Sequence, residues 1–171
     1  VTGDHLGGSH WTLVNEMSGG KVPTVDPQRA KQTFIHLHDA IQKGLVRSCH
    51  DMSEGGLAVA VAEMAFAGGL GAEISTNEVG IEILPSDPDS EINLSYATAA
   101  LLFAESNTRF VVEIAPENVE TFKSTMGDID VQQLGTVVPQ PKLTIEVAHN
   151  TVIQSDLMTL KNAWLGTLDW K

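Results

Sequence analysis

The chain has 171 residues, 42% of them apolar and 19% charged, which is one ordinary domain's length with enough apolar side chains for a core and too little charge for a disordered chain. Ten Lys and Arg stand against 22 Asp and Glu, a net charge of −12. That balance repels phosphate backbones and anionic lipid, and it excludes nucleic acid and membrane surfaces as expected partners.

The first ten residues hold Gly3, Gly7, Gly8, Ser9 and His10 ahead of apolar Trp11, Leu13 and Val14, a glycine loop entering a short strand or helix. Met17 to Asp26 contains Gly19, Gly20 and Pro23 and reads as a connection. Asp26-Pro27 opens a helix, Asp as cap and Pro at the first helical position, and Gly44 closes it. Ala30, Phe34, Leu37 and Ile41 recur every three or four residues on its apolar face. Leu45-Val46 begins a strand running to Asp51. A second helix starts near Gly56 with Leu57, Val61, Met64 and Ala65 on one stripe, and Gly68-Gly69 stops it. Ala72-Glu73-Ile74 is a strand, Asn77 to Pro88 mostly loop, and Leu94 to Ala104 an alanine-rich helix.

Arg109 to Ile114 is β-branched and aromatic, the best strand in the chain. Pro116 opens a helix carrying Val119 and Phe122. Val131–Val138 and Lys142–Val147 read as strands, His149-Asn150 as a tight turn before Val152-Ile153, and Ser155 as the cap of a last helix bearing Leu157, Leu160 and Trp164. Alternating strands and helices with a late hairpin give an α+β class, an α/β sandwich with one mixed sheet and helices packed on it. Leu37, Ile41, Val61 and Met64 are expected to be nearly inaccessible. The lone cysteine, Cys49, cannot form an internal disulfide, so a reducing, cytoplasmic compartment is expected. The opening Val1-Thr2-Gly3-Asp4, with no initiator Met, reads as a single domain, residues 1–171, belonging to a larger protein.

The histidines do not stand at metal-ligand spacing: His36 and His38 are two apart on a helix, and His5 and His10 flank a glycine loop. No metal site is expected. His50, Asp51 and Ser53 supply the residue types of a hydrolytic triad, but near neighbours on one loop do not converge as a triad must. The stronger signal is His50-Asp51-Met52-Ser53-Glu54-Gly55-Gly56 feeding an apolar helix. Free N–H groups at a helix start, with glycines permitting close approach, hold an anion. The same residues also serve as a structural cap through Asp51 or Ser53, which is the reading the local physics favours, and Leu6-Gly7-Gly8-Ser9 carries the same two readings. The candidate ligand or anion-binding residues are therefore Gly7, Gly8, Ser9, His50, Asp51, Ser53, Gly55 and Gly56. If they serve one cleft, the two loops must approach each other.

The run from Ser48 through His50-Asp51-Met52-Ser53-Glu54-Gly55-Gly56 to Ala65 resembles the signature of formylglycinamide ribonucleotide amidotransferases, also called phosphoribosylformylglycinamidine synthases. Leu6-Gly7-Gly8-Ser9, Leu102-Phe103-Ala104-Glu105-Ser106 with Arg109-Phe110-Val111-Val112, and Leu160-Lys161-Asn162-Ala163-Trp164 follow in the family's order. Glu54 stands where that family usually has Asp, His10 where it usually has an acid, and Cys49 where a small residue is common. The resemblance implies the C-terminal domain of the synthetase subunit, with a fold like the C-terminal domain of aminoimidazole ribonucleotide synthetase-type enzymes. It implies ATP and Mg2+ for the full-length enzyme and none for the isolated domain, since the family's nucleotide groups sit chiefly in another domain type. No catalytic residue is carried over. The implied partners are the remaining synthetase domains and a glutaminase domain or subunit, with self-association of an isolated fragment. A scaffold domain without ligand, or another member of the superfamily such as a small-molecule kinase, are the other readings.

Overall fold

The computed structural model describes residues 2–3, 5–77, 79, 81–82 and 94–166. Most of the expected Asn77–Pro88 loop lies outside them. In chain order the elements are β1 (Thr2–Gly3), α1 (His10–Val14), α2 (Pro27–Gln42), β2 (Val46–Asp51), α3 (Gly56–Gly68), β3 (Gly71–Ser75), β4 (Ile81–Glu82), α4 (Leu94–Phe103) and β5 (Phe110–Ile114). A 3-10 turn (Pro116–Asn118) then leads into α5 (Val119–Met126), β6 (Gly135–Val138), β7 (Lys142–Val147), β8 (Asn150–Asp156) and α6 (Leu157–Gly166).

The class is α+β, but the strands do not form one sheet. Among the described residues there is a four-stranded mixed sheet in the order β6-β3-β7-β8, an antiparallel pair β2-β5 and a short parallel pair β1-β4. Different helices claim the strands. The four-stranded sheet packs Ala72, Leu143 and Ile145 against Leu57, Ala58, Val61 and Ala65 of α3 and Leu157 of α6. The β2-β5 pair lies between two cores: Phe110, Val112 and Ile114 pack with Leu37, Ala40, Phe122 and Met126 of α2 and α5, while Val111 packs with the α3 cluster. That is the two-face alternation of a strand covered on both sides.

Local signals set the ends of α2. Asp26 accepts hydrogen bonds from the Gln28 and Arg29 amides at 3.0 Å each, Pro27 takes the first position, and Gly44 leaves the helix at φ +69°. The buried line is Ala30, Thr33, Leu37 and Ala40. It is rotated from the expected stripe: Phe34 is 53% and Ile41 44% exposed, and Met64 of α3 is only half-buried. The cause is the packing partner. α5 presents bulky Phe122 and Met126, so the contact line selects the small side chains of α2, and its larger ones flank the contact. Phe34 still meets Phe110 edge-on, with ring centroids 5.9 Å apart.

Three further expectations are corrected. β6 spans only Gly135–Val138, because Val131 packs into the α2–α5 core instead of pairing. Ser155 does not cap α6; it lies inside β8 opposite Leu143, and α6 starts at Leu157, whose N–H donates to the Pro141 carbonyl at 3.0 Å. The β7–β8 turn is Ala148-His149, one residue earlier than expected, both residues at positive φ (49° and 61°) as a two-residue hairpin requires. Asn77 steadies it by accepting from the His149 amide at 3.2 Å.

The rotated face of α2 separates two substitutions. Leu37→Ala is expected to lower unfolding free energy by about 2–4 kcal/mol and Ile41→Ala by under about 1 kcal/mol, read from urea denaturation midpoints. Equal losses would place Ile41 in the core after all.

Candidate functional site

The two glycine loops meet at the turn between α4 and β5. In the first, Ser9 caps α1: its Oγ accepts from the Thr12 amide at 3.3 Å and donates to the Leu6 carbonyl at 2.7 Å. Gly7 must lack a side chain, since a Cβ there would lie 2.5 Å from the Gly20 carbonyl oxygen. Gly8 is exposed at φ +74° with open space around its Cα.

In the second loop, Asp51 and Ser53 are exposed and neither caps α3. The side-chain cap expected from sequence is absent because the cap position is Gly55 in a left-handed conformation (φ +77°), which turns the preceding loop away from the helix start. The Ser53 carbonyl accepts from the Gly56 amide at 3.2 Å. Gly56, at φ +64°, packs so closely on the α4 exit that a Cβ would stand 2.7 Å from the Ala104 carbonyl oxygen.

The acceptor for α3 comes from elsewhere. Glu105 Oε1 receives the Gly55 amide at 2.9 Å and the His10 amide at 2.9 Å, with His10 Nδ1 at 3.3 Å. The His10 and Gly55 amides are therefore no more than two hydrogen-bond lengths apart. The glycine loops converge, and the anion between them is the protein's own carboxylate, its side chain 17% exposed. Sequence reasoning passed over Glu105 as a site residue, although it stands in Leu102-Phe103-Ala104-Glu105-Ser106; a lone acid just past an apolar helix was the available signal.

Arg109 holds this turn in place. Its guanidinium donates to the Ser106 carbonyl at 3.2 Å and to the Ala104 carbonyl, bracketing Glu105. Burial pushes the Arg109 pKa down to about 10, which leaves it a cation at neutral pH. The Glu105 amide donates to the His5 carbonyl at 3.2 Å, and the His5 Nδ1–Ser106 Oγ bond of 2.7 Å completes the tie to the N-terminal segment.

His50 belongs to another cluster. It bonds to Glu63 on α3 and to the Asp51 carbonyl, not to Glu105. Among the described residues no three His, Cys, Asp or Glu side chains stand close enough to hold a metal ion, and no helix is long and apolar enough to cross a membrane. What the arrangement supplies is a rigid junction: two loops fixed to one carboxylate, with Gly8, Asp51, Ser53 and Glu54 exposed.

Residues 1–148 match the family described as AIR synthase related protein, C-terminal domain. The phosphoribosylformylglycinamidine synthase subunit PurL of Alkaliphilus metalliredigens is 34% identical over 166 residues, covering 95% of this chain and 20% of that protein. Its counterpart from Lactobacillus helveticus is 36% identical over 156 residues, covering 88% of this chain and 18% of that protein. The chain spans about a fifth of the length of these relatives. The solved structure of T. maritima PurL complexed with FGAR superposes on 82% of this chain and 22% of that one, with a TM-score of 0.65 at 22% identity, a likeness of fold.

Removing the shared acceptor leaves two amides of distant loops without their partner. Glu105→Ala is expected to cost about 1–3 kcal/mol of stability and to speed amide hydrogen exchange at His10 and Gly55 together. Glu105→Gln, which keeps the acceptor oxygen, should lose less. Unchanged exchange at both amides in Glu105→Ala would show that the carboxylate does not join the loops.

Proposed function

The chain belongs to the family of AIR synthase related C-terminal domains, and from that premise we propose that it is the C-terminal domain of a phosphoribosylformylglycinamidine synthase, one domain over residues 1–171. In this reading the whole enzyme is an ATP-dependent ligase of purine biosynthesis. The terminal phosphoryl group of ATP is transferred to the amide oxygen of formylglycinamide ribonucleotide; ammonia derived from glutamine then attacks the imino carbon and phosphate leaves. Mg2+ accompanying the nucleotide in the full-length enzyme would neutralise phosphate charge. Among the described residues of this chain no cluster of His, Cys, Asp and Glu could hold that ion. The setting is the cytoplasm, and the partners are the remaining synthetase domains and a glutaminase domain or subunit.

The observation that carries this reading is the junction at Glu105, which physically joins three separate segments that resemble the synthetase family: the Leu6–Ser9 loop, the His50–Gly56 loop and the Leu102–Ser106 turn. The domain's own contribution is positional. It holds exposed Gly8 and Ser53 and the exposed carboxylates of Asp51 and Glu54 at fixed places, where a substrate or a neighbouring domain meets them. Leu13, Val14 and Met17, 51–79% exposed at the end of α1 and beyond, offer an apolar face for that neighbouring domain or for self-association.

The scaffold reading has its own support: Glu105 already occupies the amide groups that an incoming anion would use. A chimaera separates the two. Replacing the matching segment of the Alkaliphilus metalliredigens subunit with this chain should preserve ammonia-dependent formation of formylglycinamidine ribonucleotide, and substitution of exposed Ser53 by Ala should then raise KM for the ribonucleotide. A KM left unmoved supports the scaffold. The 171-residue chain alone is expected to hydrolyse no ATP; hydrolysis that disappears in Asp51→Asn would refute the assignment of the nucleotide chemistry to other domains.

A further inference from the structure

His50 lies at the end of β2 with its side chain 30% exposed. Its Nδ1 is 2.7 Å from the Asp51 carbonyl oxygen and its Nε2 is 2.9 Å from Glu63 Oε2. A carbonyl and an ionised carboxylate both accept only, whereas a neutral imidazole has one N–H and one lone pair. Both contacts are hydrogen bonds only when the ring carries two protons. Glu63 reaches onward: its other oxygen, Oε1, accepts from Trp164 Nε1 of α6 at 3.1 Å. The Trp164 ring also lies against Phe66 of α3, with centroids 5.9 Å apart.

Among the described residues, few other charges stand on the elements packed against the group. Glu63 is the sole ionisable residue of α3, Lys161 that of α6 and Glu113 that of β5. Glu113 is engaged with Ser48 Oγ at 3.1 Å and Arg47 at 3.5 Å. Across the ladder His50 faces apolar Val111, and Asp51 Oδ1 stands 3.7 Å from its Nδ1.

We propose that His50, Glu63 and Trp164 form a proton-operated latch that fastens the C-terminal helix α6 to the β2–α3 junction. The latch is closed while the imidazole holds both protons. Loss of one proton removes the ring's positive charge, so the ion pair with Glu63 is lost in either tautomer, and in the Nδ1–H tautomer a ring lone pair also faces Glu63 Oε2; Glu63 is then held less firmly at Trp164. Burial disfavours the charged ring, but the Asp51 carbonyl, the Glu63 carboxylate and the Asp51 carboxylate outweigh it and raise the His50 pKa above its ordinary 6.5. A raised histidine pKa places the stabilisation fully below the unfolded value, and it is lost as pH rises through the folded one.

The test is an NMR titration of the 171-residue chain from roughly pH 5 to 9, following the His50 ring nitrogens, the Trp164 indole N–H and amide exchange in α6 corrected for its intrinsic pH dependence. His50 is expected to titrate above the free-imidazole value, with α6 protection falling about tenfold at the same midpoint. Glu63→Gln should lower that midpoint and abolish the α6 step. Trp164→Phe should leave the midpoint raised and remove the step alone. A wild-type midpoint at or below 6.5, or α6 protection that does not change through it, overturns the proposal without recourse to any variant.

Discussion

Glu105 Oε1 takes hydrogen bonds from amides 95 and 50 residues away in the chain, and the positions of both glycine loops follow from it. Such a contact must offset the cost of ordering three separate segments. It does so because the acceptor is charged, partly desolvated and held in place by its own turn. Arg109 does the fixing. Its donors take the Ala104 and Ser106 carbonyls just beyond the C-terminus of α4, where free carbonyls and the helix dipole both favour a cation. The same turn brings the Ala104 carbonyl against Gly56, so the exit of α4 and the start of α3 constrain each other. A side chain at Gly56 would push them apart and carry the Gly55 amide away from Glu105.

The packing around that junction explains why α3 is apolar on every face. It touches β2, β3, β5, α4 and α6, so little of it is left for solvent beyond Glu63 and the last turn, where Ala67 and Gly68 are exposed, and a helix covered nearly all round has no polar stripe. α4 beside it buries Ala99 and Ala100, with Ala104 just past its end, together with Leu6. Small side chains there let the N-terminal segment lie close, and Trp11 stacks on Phe103 with centroids 4.7 Å apart. The first glycine loop is thereby held from below by α4 and from the side by Glu105.

What could be read from sequence divides by the range of the interaction responsible. The ends of α2 were legible because Asp26, Pro27 and Gly44 act within a turn of themselves. β7 was legible at both ends because Leu143 and Ile145 alternate with polar residues over its whole length. The exposure of Ile41 was not legible: the helical period marks an apolar arc, and only the bulk of Phe122 and Met126 opposite decides which line within it makes contact. The partition of the strands between two cores and the displacement of Ser155 into β8 likewise depend on partners distant in sequence. The candidate site divides in the same way. Its glycines were visible as local punctuation, but the cap of α3 was sought in Asp51 and Ser53 since they are neighbours, while Glu105 supplies it from the far side of α4.

An internal carboxylate at the meeting of two loops sets the terms for any ligand. Glu105 is tethered beside the amides by Arg109 and the α4 exit, so it competes at an effective concentration that a free anion does not match without further contacts. The net charge of −12 and exposed Asp51 and Glu54 add repulsion at long range. A phosphorylated group reaching this surface therefore needs cations from outside the described junction, or contacts at exposed Gly8 and Ser53 that leave the Glu105 bonds intact. Either route makes the domain's rigidity its useful property: the loops are placed before a ligand arrives, and their geometry does not depend on one.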